Sequence, residues 1–349
     1  MSYKKNNFRA YKTPILQHSG FSKKGFGKNV VVLKRHEYKV RKERLSGDAP
    51  KDFILIYEYG NSRKSKTKTW TKYIAKVGHK WYPNESITEA LISRLGQVWG
   101  FELAEHKLYV ISEQIRFCSK YFLNRSENEL VHGADILSRC LQEHDNKFIQ
   151  EIDGKGLAQE LISYQFIEDC IYKIFPESAI EIIKKYKELL LFDAIVGNND
   201  RHFFNWGVIR NLKGKTNPKF SPIYDTARGL FWNYSESKIN NIIEQNNVEK
   251  EIVKYDKNSK PKIGWDNVSN VNHRILIELL AENDRINLSY ILNVISDKNL
   301  QLTENVINNE FKLLISPKRK KLILSFLRKR FKDISEILTI LLHDKKIDK

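Results

Sequence analysis

The chain has 349 residues, of which 41% are hydrophobic and 11% aromatic, so an ordinary folded protein with a sizeable core is expected, as two compact units or one bilobal domain. Cys118, Cys140 and Cys170 form no Cys-x-x-Cys pair, which excludes a disulfide framework or a zinc site and points to a reducing compartment. No signal-like core opens the chain and no apolar run reaches the ~18 residues that span a bilayer, so a soluble cytoplasmic protein without a membrane span is expected.

The formal charge of +18 is uneven, because residues 1–80 carry 21 Lys and Arg against 5 Asp and Glu. Such a region can attract a polyanion or serve as solvated surface. Tyr38, Tyr57, Tyr59, Trp70 and Tyr73 are interleaved with the charges, yet no recognised nucleic-acid motif occurs, so nucleic acid is not the favoured partner. Residues 1–28 read as a basic leader. Gly25 and Gly27 stand just before a β-rich run at 30–33, where backbone amides can approach phosphates closely, although Gly27-Lys28-Asn29 misses the Gly-Lys-Ser/Thr of a Walker A loop.

Residues 53–59 and 72–77 are β-rich and flank a long hairpin tip. In the second strand Tyr73, Ala75 and Val77 share one face, while Lys72, Ile74 and Lys76 share the other. A helix follows over 83–96, with Ile87, Leu91 and Leu95 on one face and Glu89 off it. Residues 107–111 and 116–123 read as a second hairpin that completes an antiparallel sheet. From 124 onward the pattern is helical, clearest at 133–142, 156–175, 177–196 and from 265 to the end. Residues 236–262, rich in Asn, Glu and Lys, read as an exposed excursion.

The most informative stretch is 189–229. An apolar helical run at 189–196 stops at Gly197, and the polar loop Asn-Asn-Asp-Arg-His-Phe-Phe-Asn follows at 198–205. Two short strand-like segments, 206–210 and 219–224, come next, with Asp225 at the end of the second. This order brings Asp200, Asn205 and Asp225 toward one point. Phosphoryl transfer needs such a set: a carboxylate that orients the attacking hydroxyl, plus an amide oxygen and a second carboxylate that hold Mg2+ on nucleotide phosphates.

The loop with its sequel Ser-Pro-Ile-Tyr-Asp-Thr-Ala-Arg-Gly at 221–229 resembles the HipA-like serine/threonine kinases, particularly their shorter CtkA-like members. The Asp-Arg-His order is also similar to that of phosphoinositide 3/4-kinases. The resemblance implies a bilobal α+β protein-kinase-like fold, with a small β-rich lobe over 1–123 and a larger helical lobe over 124–349. It implies ATP and Mg2+ as cofactors, Asp200 as the catalytic carboxylate, and Asn205 and Asp225 as metal ligands. It implies too that Lys76, held by Glu89, contacts the α- and β-phosphates, with Lys72 and Glu85 as substitutes.

By the same resemblance Gly25 and Gly27 cover the phosphates, the connection near Tyr121 and Leu123 binds adenine through its backbone, and His202 contacts the nucleotide or buttresses the loop. Arg201 is read either as a phosphate ligand or as half of a structural ion pair, in a loop crowded with Asp200 and Asp193. The expected activity is γ-phosphoryl transfer to Ser/Thr hydroxyls of a protein substrate, with self-phosphorylation and an antitoxin-like partner as what the family allows. The alternatives are a phosphoinositide or small-molecule kinase and a non-catalytic nucleotide- or polyanion-binding regulator.

Overall fold

The computed structural model describes residues 30–41, 43, 51–78, 81–283 and 285–347. Gly25 and Gly27 lie outside the described residues. Six strands make the first sheet: β1 (Val31–Val32), β2 (Tyr38–Arg41), β3 (Lys51–Ile56), β4 (Thr71–Lys76), β5 (His106–Ile111) and β6 (Gln114–Lys120). Their spatial order is β1-β5-β6-β4-β3-β2, antiparallel except for the β1–β5 pair.

The sheet curls. Tyr38 on β2 reaches Ser112 beyond β5, hydroxyl to hydroxyl at 3.2 Å, although β2 and β5 are not neighbours in the ladder. The curl encloses Tyr38, Ile54, Ile56, Tyr73, Ala75, Tyr109, Ile111 and Cys118, all buried. Strand alternation turns Lys76 the other way. Against that other face packs α1 (Asn84–Val98), whose Ile87, Leu91, Ile92 and Leu95 are at most 1% exposed and join the main core with Val110, Ile115 and Phe117. Each such side chain contributes roughly 1.5–3 kcal/mol by leaving water.

Glu58, just past β3, ties three parts of the curled sheet together. Its carboxylate accepts from Lys107 Nζ at 2.6 Å, Tyr73 OH at 2.7 Å and Thr71 Oγ1 at 2.8 Å. Burial alone would raise its pKa, but these donors lower it from 4.5 to about 2. A folded pKa below the unfolded one gives stability that is present above pH 4.5 and lost as pH falls toward 2. Glu58→Gln should therefore cost about 1–3 kcal/mol at neutral pH. In thermal melts the gap to wild type should narrow through that acid window; a gap independent of pH would contradict the account.

The remainder is mostly helical: α2 (Gly133–Cys140), α3 (Lys147–Gly154), α4 (Ala158–Leu161), α5 (Tyr164–Ile174), α6 (Ala179–Val196), α7 (Glu236–Glu244), α8 (Val248–Asn258), α9 (His273–Glu282), α10 (Leu288–Val294), α11 (Asp297–Asn305) and α12 (Pro317–Ile347). A three-stranded sheet interrupts it, formed by β7 (Asn128–His132), β8 (Gly207–Asn211) and β9 (Lys219–Phe220) in that order. Trp206, 1% exposed, packs on Tyr186 and Phe220. Gly133 is required beside it, since a Cβ there would lie 2.3 Å from the indole.

Three expectations change. The helix expected over 156–175 is broken between α4 and α5, where the Ser163 side chain caps Phe166 N at 3.1 Å and starts a new helix. Residues 236–262 are not an exposed excursion: α7 and α8 bury Ile239, Ile242, Ile252 and Tyr255, and both pack on α12. Asp225 does not end a strand, because β9 stops at Phe220. Pro222 has no N–H for the ladder, and Ile223 instead exchanges backbone hydrogen bonds with Glu102 and Ala104.

Candidate active site

The site is built at the end of α6, whose residues 189–196 are all buried. The helix closes on Gly197 at φ +66°, the left-handed cap that glycine adopts without a Cβ penalty. Its carbonyl accepts from Ser259 Oγ at 2.6 Å, so α8 holds the turn. The loop that follows is organised by Arg201. Its guanidinium grips Asp193 on α6 through Nε–Oδ2 at 2.7 Å and Nη2–Oδ1 at 2.9 Å. Its Nη1 donates to the carbonyls of Asn205 at 2.7 Å and Tyr224 at 2.6 Å. One buried side chain thus ties the helix end, the loop end and the residue before Asp225 together, and Arg201 is the structural ion pair rather than a free phosphate ligand.

Within the loop, Asp200 N donates to Asn198 Oδ1 at 3.1 Å, and Asn205 Nδ2 donates to the Asp200 carbonyl at 2.9 Å, which commits the amide nitrogen and leaves the amide oxygen for another partner. From below, His273 Nε2 donates to the Asn198 carbonyl at 2.7 Å; burial pushes this imidazole down to about 3, so it stays neutral. His202 folds onto its own loop, its Nδ1 accepting from Phe204 N at 3.2 Å.

The sheet contributes Lys76. Its ammonium lies 2.8 Å from Glu89 Oε1 on α1 and 3.1 Å from Asp225 Oδ1. Lys76 is 13% exposed and Glu89 3%, whereas Asp225 keeps 34%. Burial opposes the lysine's charge, but the Asp225 and Glu89 carboxylates outweigh it and hold its pKa above the usual value. Glu89 is pushed up by burial and by Asp225, against the pull of Lys76. Asp225 itself sits at φ +55°, a left-handed conformation that aspartate tolerates better than most residues.

The two carboxylates of the site are driven apart. Burial alone would raise Asp225, yet Lys76, Lys51 and Arg201 bring it to about 2, so it is anionic throughout the physiological range. Asp200 moves up, because burial and the Asp225 charge outweigh His202 and Arg228. Opposite shifts in neighbouring acids separate a permanently charged group from one able to take a proton.

Tyr121 and Leu123 lie just beyond β6 and are half-buried. Tyr121 N donates to the Lys72 carbonyl at 2.9 Å, and its hydroxyl accepts from Arg125 Nε at 2.6 Å. Lys72 and Glu85, the substitutes for Lys76 and Glu89, do not form the buried pair. Three contributors escaped the sequence reading: Lys51, which faces Lys76 across the β3–β4 ladder, His273, and Arg228. A lysine in a basic region and a histidine 75 residues from its partner carry no sequence signal of their role.

The donor set suits magnesium. A carboxylate and an amide oxygen are hard ligands, and this ion keeps water and substrate phosphates rather than a full protein cage. No group of three or more His, Cys, Asp or Glu positioned for a metal occurs among the described residues. A surface groove of about 580 Å³ lined by Arg274, Leu300, Phe331 and Ile340 shares none of the site residues.

A curled sheet with one helix against it, joined to a helical body that carries this loop, is the bilobal α+β protein-kinase-like fold. The family model for the HipA-like C-terminal domain matches residues 44–282, and the chain belongs to that family. Among solved structures, the Helicobacter pylori proinflammatory kinase CtkA aligns with a TM-score of 0.66 at 16% identity, covering 87% of this chain and 96% of that one. HipA of Shewanella oneidensis MR-1, solved with HipB and operator DNA, aligns with a TM-score of 0.46 at 12% identity over 85% of this chain and 66% of that one. A sequence comparison with curated proteins gives no match.

Proposed function

We propose that the protein transfers the γ-phosphoryl group of ATP to Ser or Thr hydroxyls of a protein substrate. The observation that carries this is the position of Lys76, whose ammonium lies between Glu89 on α1 and Asp225. In this reading Lys76 steadies the α- and β-phosphates, with Glu89 fixing its direction. Asp225 and Asn205 would hold Mg2+, which when bound would neutralise charge on the phosphates. Asp200 orients the acceptor hydroxyl, and its raised pKa suits it to receive the proton as the new P–O bond forms.

Residues 1–123 and 124–349 act as the two lobes, with the connection at Tyr121 and Leu123 offering backbone groups to adenine and His202 buttressing the loop. An antitoxin-like partner enters this reading through family membership, and a cytoplasmic location through three free cysteines that fit a reducing compartment. No helix among the described residues is long and apolar enough to cross a membrane.

The test is incubation with MgATP, followed by intact-mass analysis and by γ-labelled transfer to protein and phosphoinositide panels. Label in protein Ser or Thr is the expected result. Label confined to lipids or small molecules selects that class of acceptor instead, and binding of nucleotide with no turnover selects a regulator.

A further inference from the structure

Arg228 is the second arginine of the site, and its contacts differ in kind from those of Arg201. Its Nε lies 3.5 Å from Asp200 Oδ2 and its Nη1 3.9 Å from Glu85 Oε1. Charge-assisted hydrogen bonds run about 2.7–2.9 Å, as the Arg201–Asp193 pair does. Arg228 and Asp200 are each 38% exposed, against 4% and 3% for the Arg201 pair. A pair so long and so exposed is worth at most about 1 kcal/mol and is readily given up.

The guanidinium is nevertheless held in place. Its carbon lies 3.8 Å from the centre of the Trp232 ring, a cation–π contact that holds the group over the indole without using any N–H donor. The backbone is pinned to the catalytic loop: Asn199 N donates to the Arg228 carbonyl at 3.3 Å and Leu230 N to the Val196 carbonyl at 3.1 Å. Gly229 allows this approach, since a Cβ there would lie 2.7 Å from the Val196 oxygen. Asn84 at the start of α1 donates to the Trp232 carbonyl. Farther along, Arg319 of α12 donates to the Tyr234 carbonyl at 2.6 Å and to Glu236 at 2.7 Å. A fixed arginine beside Asp200 with only a weak present partner is prepared for a different anion at the same spot.

We propose that Arg228 is a catalytic arginine supplied from within the chain, which leaves Asp200 to hold the non-bridging oxygens of the phosphoryl group in transfer. This rests on the phosphotransferase reading above. The acceptor oxygen forms its bond to the γ-phosphorus while the bond from that phosphorus to the β–γ bridging oxygen breaks. The hydroxyl proton passes to Asp200, and the electron pair of the broken bond leaves on ADP. Arg228 exchanges no atom; it balances charge on the group between the two oxygens, and its departure from Asp200 frees that carboxylate for the hydroxyl.

The test compares wild type with Arg228→Ala and Arg228→Lys, after thermal melts establish that all three fold. Transfer rates at saturating MgATP are measured beside the affinity for MgADP with and without aluminium fluoride, which mimics the phosphoryl in flight. Arg228→Ala should lose about 10³-fold or more in rate, as removal of an arginine finger does. Its MgADP affinity should stay close to wild type, while the tightening by aluminium fluoride disappears; Arg228→Lys should recover only part of either.

Wild-type rate and tightening in Arg228→Ala overturn the assignment. A loss confined to acceptor KM, with tightening intact, overturns it in favour of an acidic group on the substrate. A shifted acid limb with tightening intact makes Arg228 only a positioning residue for Asp200, and overturns it too. Should wild type neither bind MgATP nor transfer phosphate, the phosphotransferase reading itself fails, a result separable from all the others.

Discussion

Asp200→Ala should slow γ-phosphoryl transfer by about 10²–10⁴-fold, the range in which a positioned general base contributes, while MgATP affinity should change little. The asymmetry follows from the proposed division of labour, in which Asp200 would serve the acceptor while Lys76 and Asp225, which contact each other, would serve nucleotide and metal. The same carboxylate should then set the acid limb of kcat/KM, which reports the free enzyme. Its pKa is raised, so the active, deprotonated form is lost as pH falls through a value above the ordinary 3.8. Asp225, near 2, does not titrate in that window. Transfer measured across the acid range should show the limb above 3.8 in wild type and none in the residual activity of Asp200→Ala. Undiminished transfer by Asp200→Ala would remove Asp200 from the chemistry.

Arg201→Ala has the largest expected effect on folding. The Arg201–Asp193 pair is 4% and 3% exposed, and the arginine also serves two backbone carbonyls. Removing one member strands a buried carboxylate and those acceptors, a loss of about 3–5 kcal/mol. Arg201→Met paired with Asp193→Leu leaves no stranded charge and should recover much of that loss, although the loop is no longer tied to Tyr224. Urea unfolding of the two singles and the double measures the coupling; additive losses would show that the pair is not the unit described here.

Local physics made part of this legible. Gly197 announced the end of α6 because few residues accept its backbone conformation, and the period-2 pattern in β4 was enough to send Lys76 away from Tyr73 and toward α1. The spacing of Asp200, Asn205 and Asp225 carried the chemistry, and a structural ion pair was one of the two readings of Arg201. What no local pattern carried is that the same guanidinium also binds the Asn205 and Tyr224 carbonyls and so gathers the three segments. The strand β7 escaped notice because its residues, Asn-Glu-Leu-Val-His, are short and half polar and gain their order from pairing with β8. The helices α7 and α8 looked solvated by composition. Their few apolar residues face α12, a partner some 70 residues away that no local window contains.

The shared lysine has a thermodynamic consequence. Glu89 and Asp225 both lean on the one ammonium of Lys76, so an arriving anion that draws it off takes from Asp225 the largest of its compensating charges and leaves only Lys51 and Arg201. A divalent cation relieves that deficit. Negative and positive ligands should therefore favour each other here, each lending the other the same free energy, and neither alone should be held as firmly as the two together.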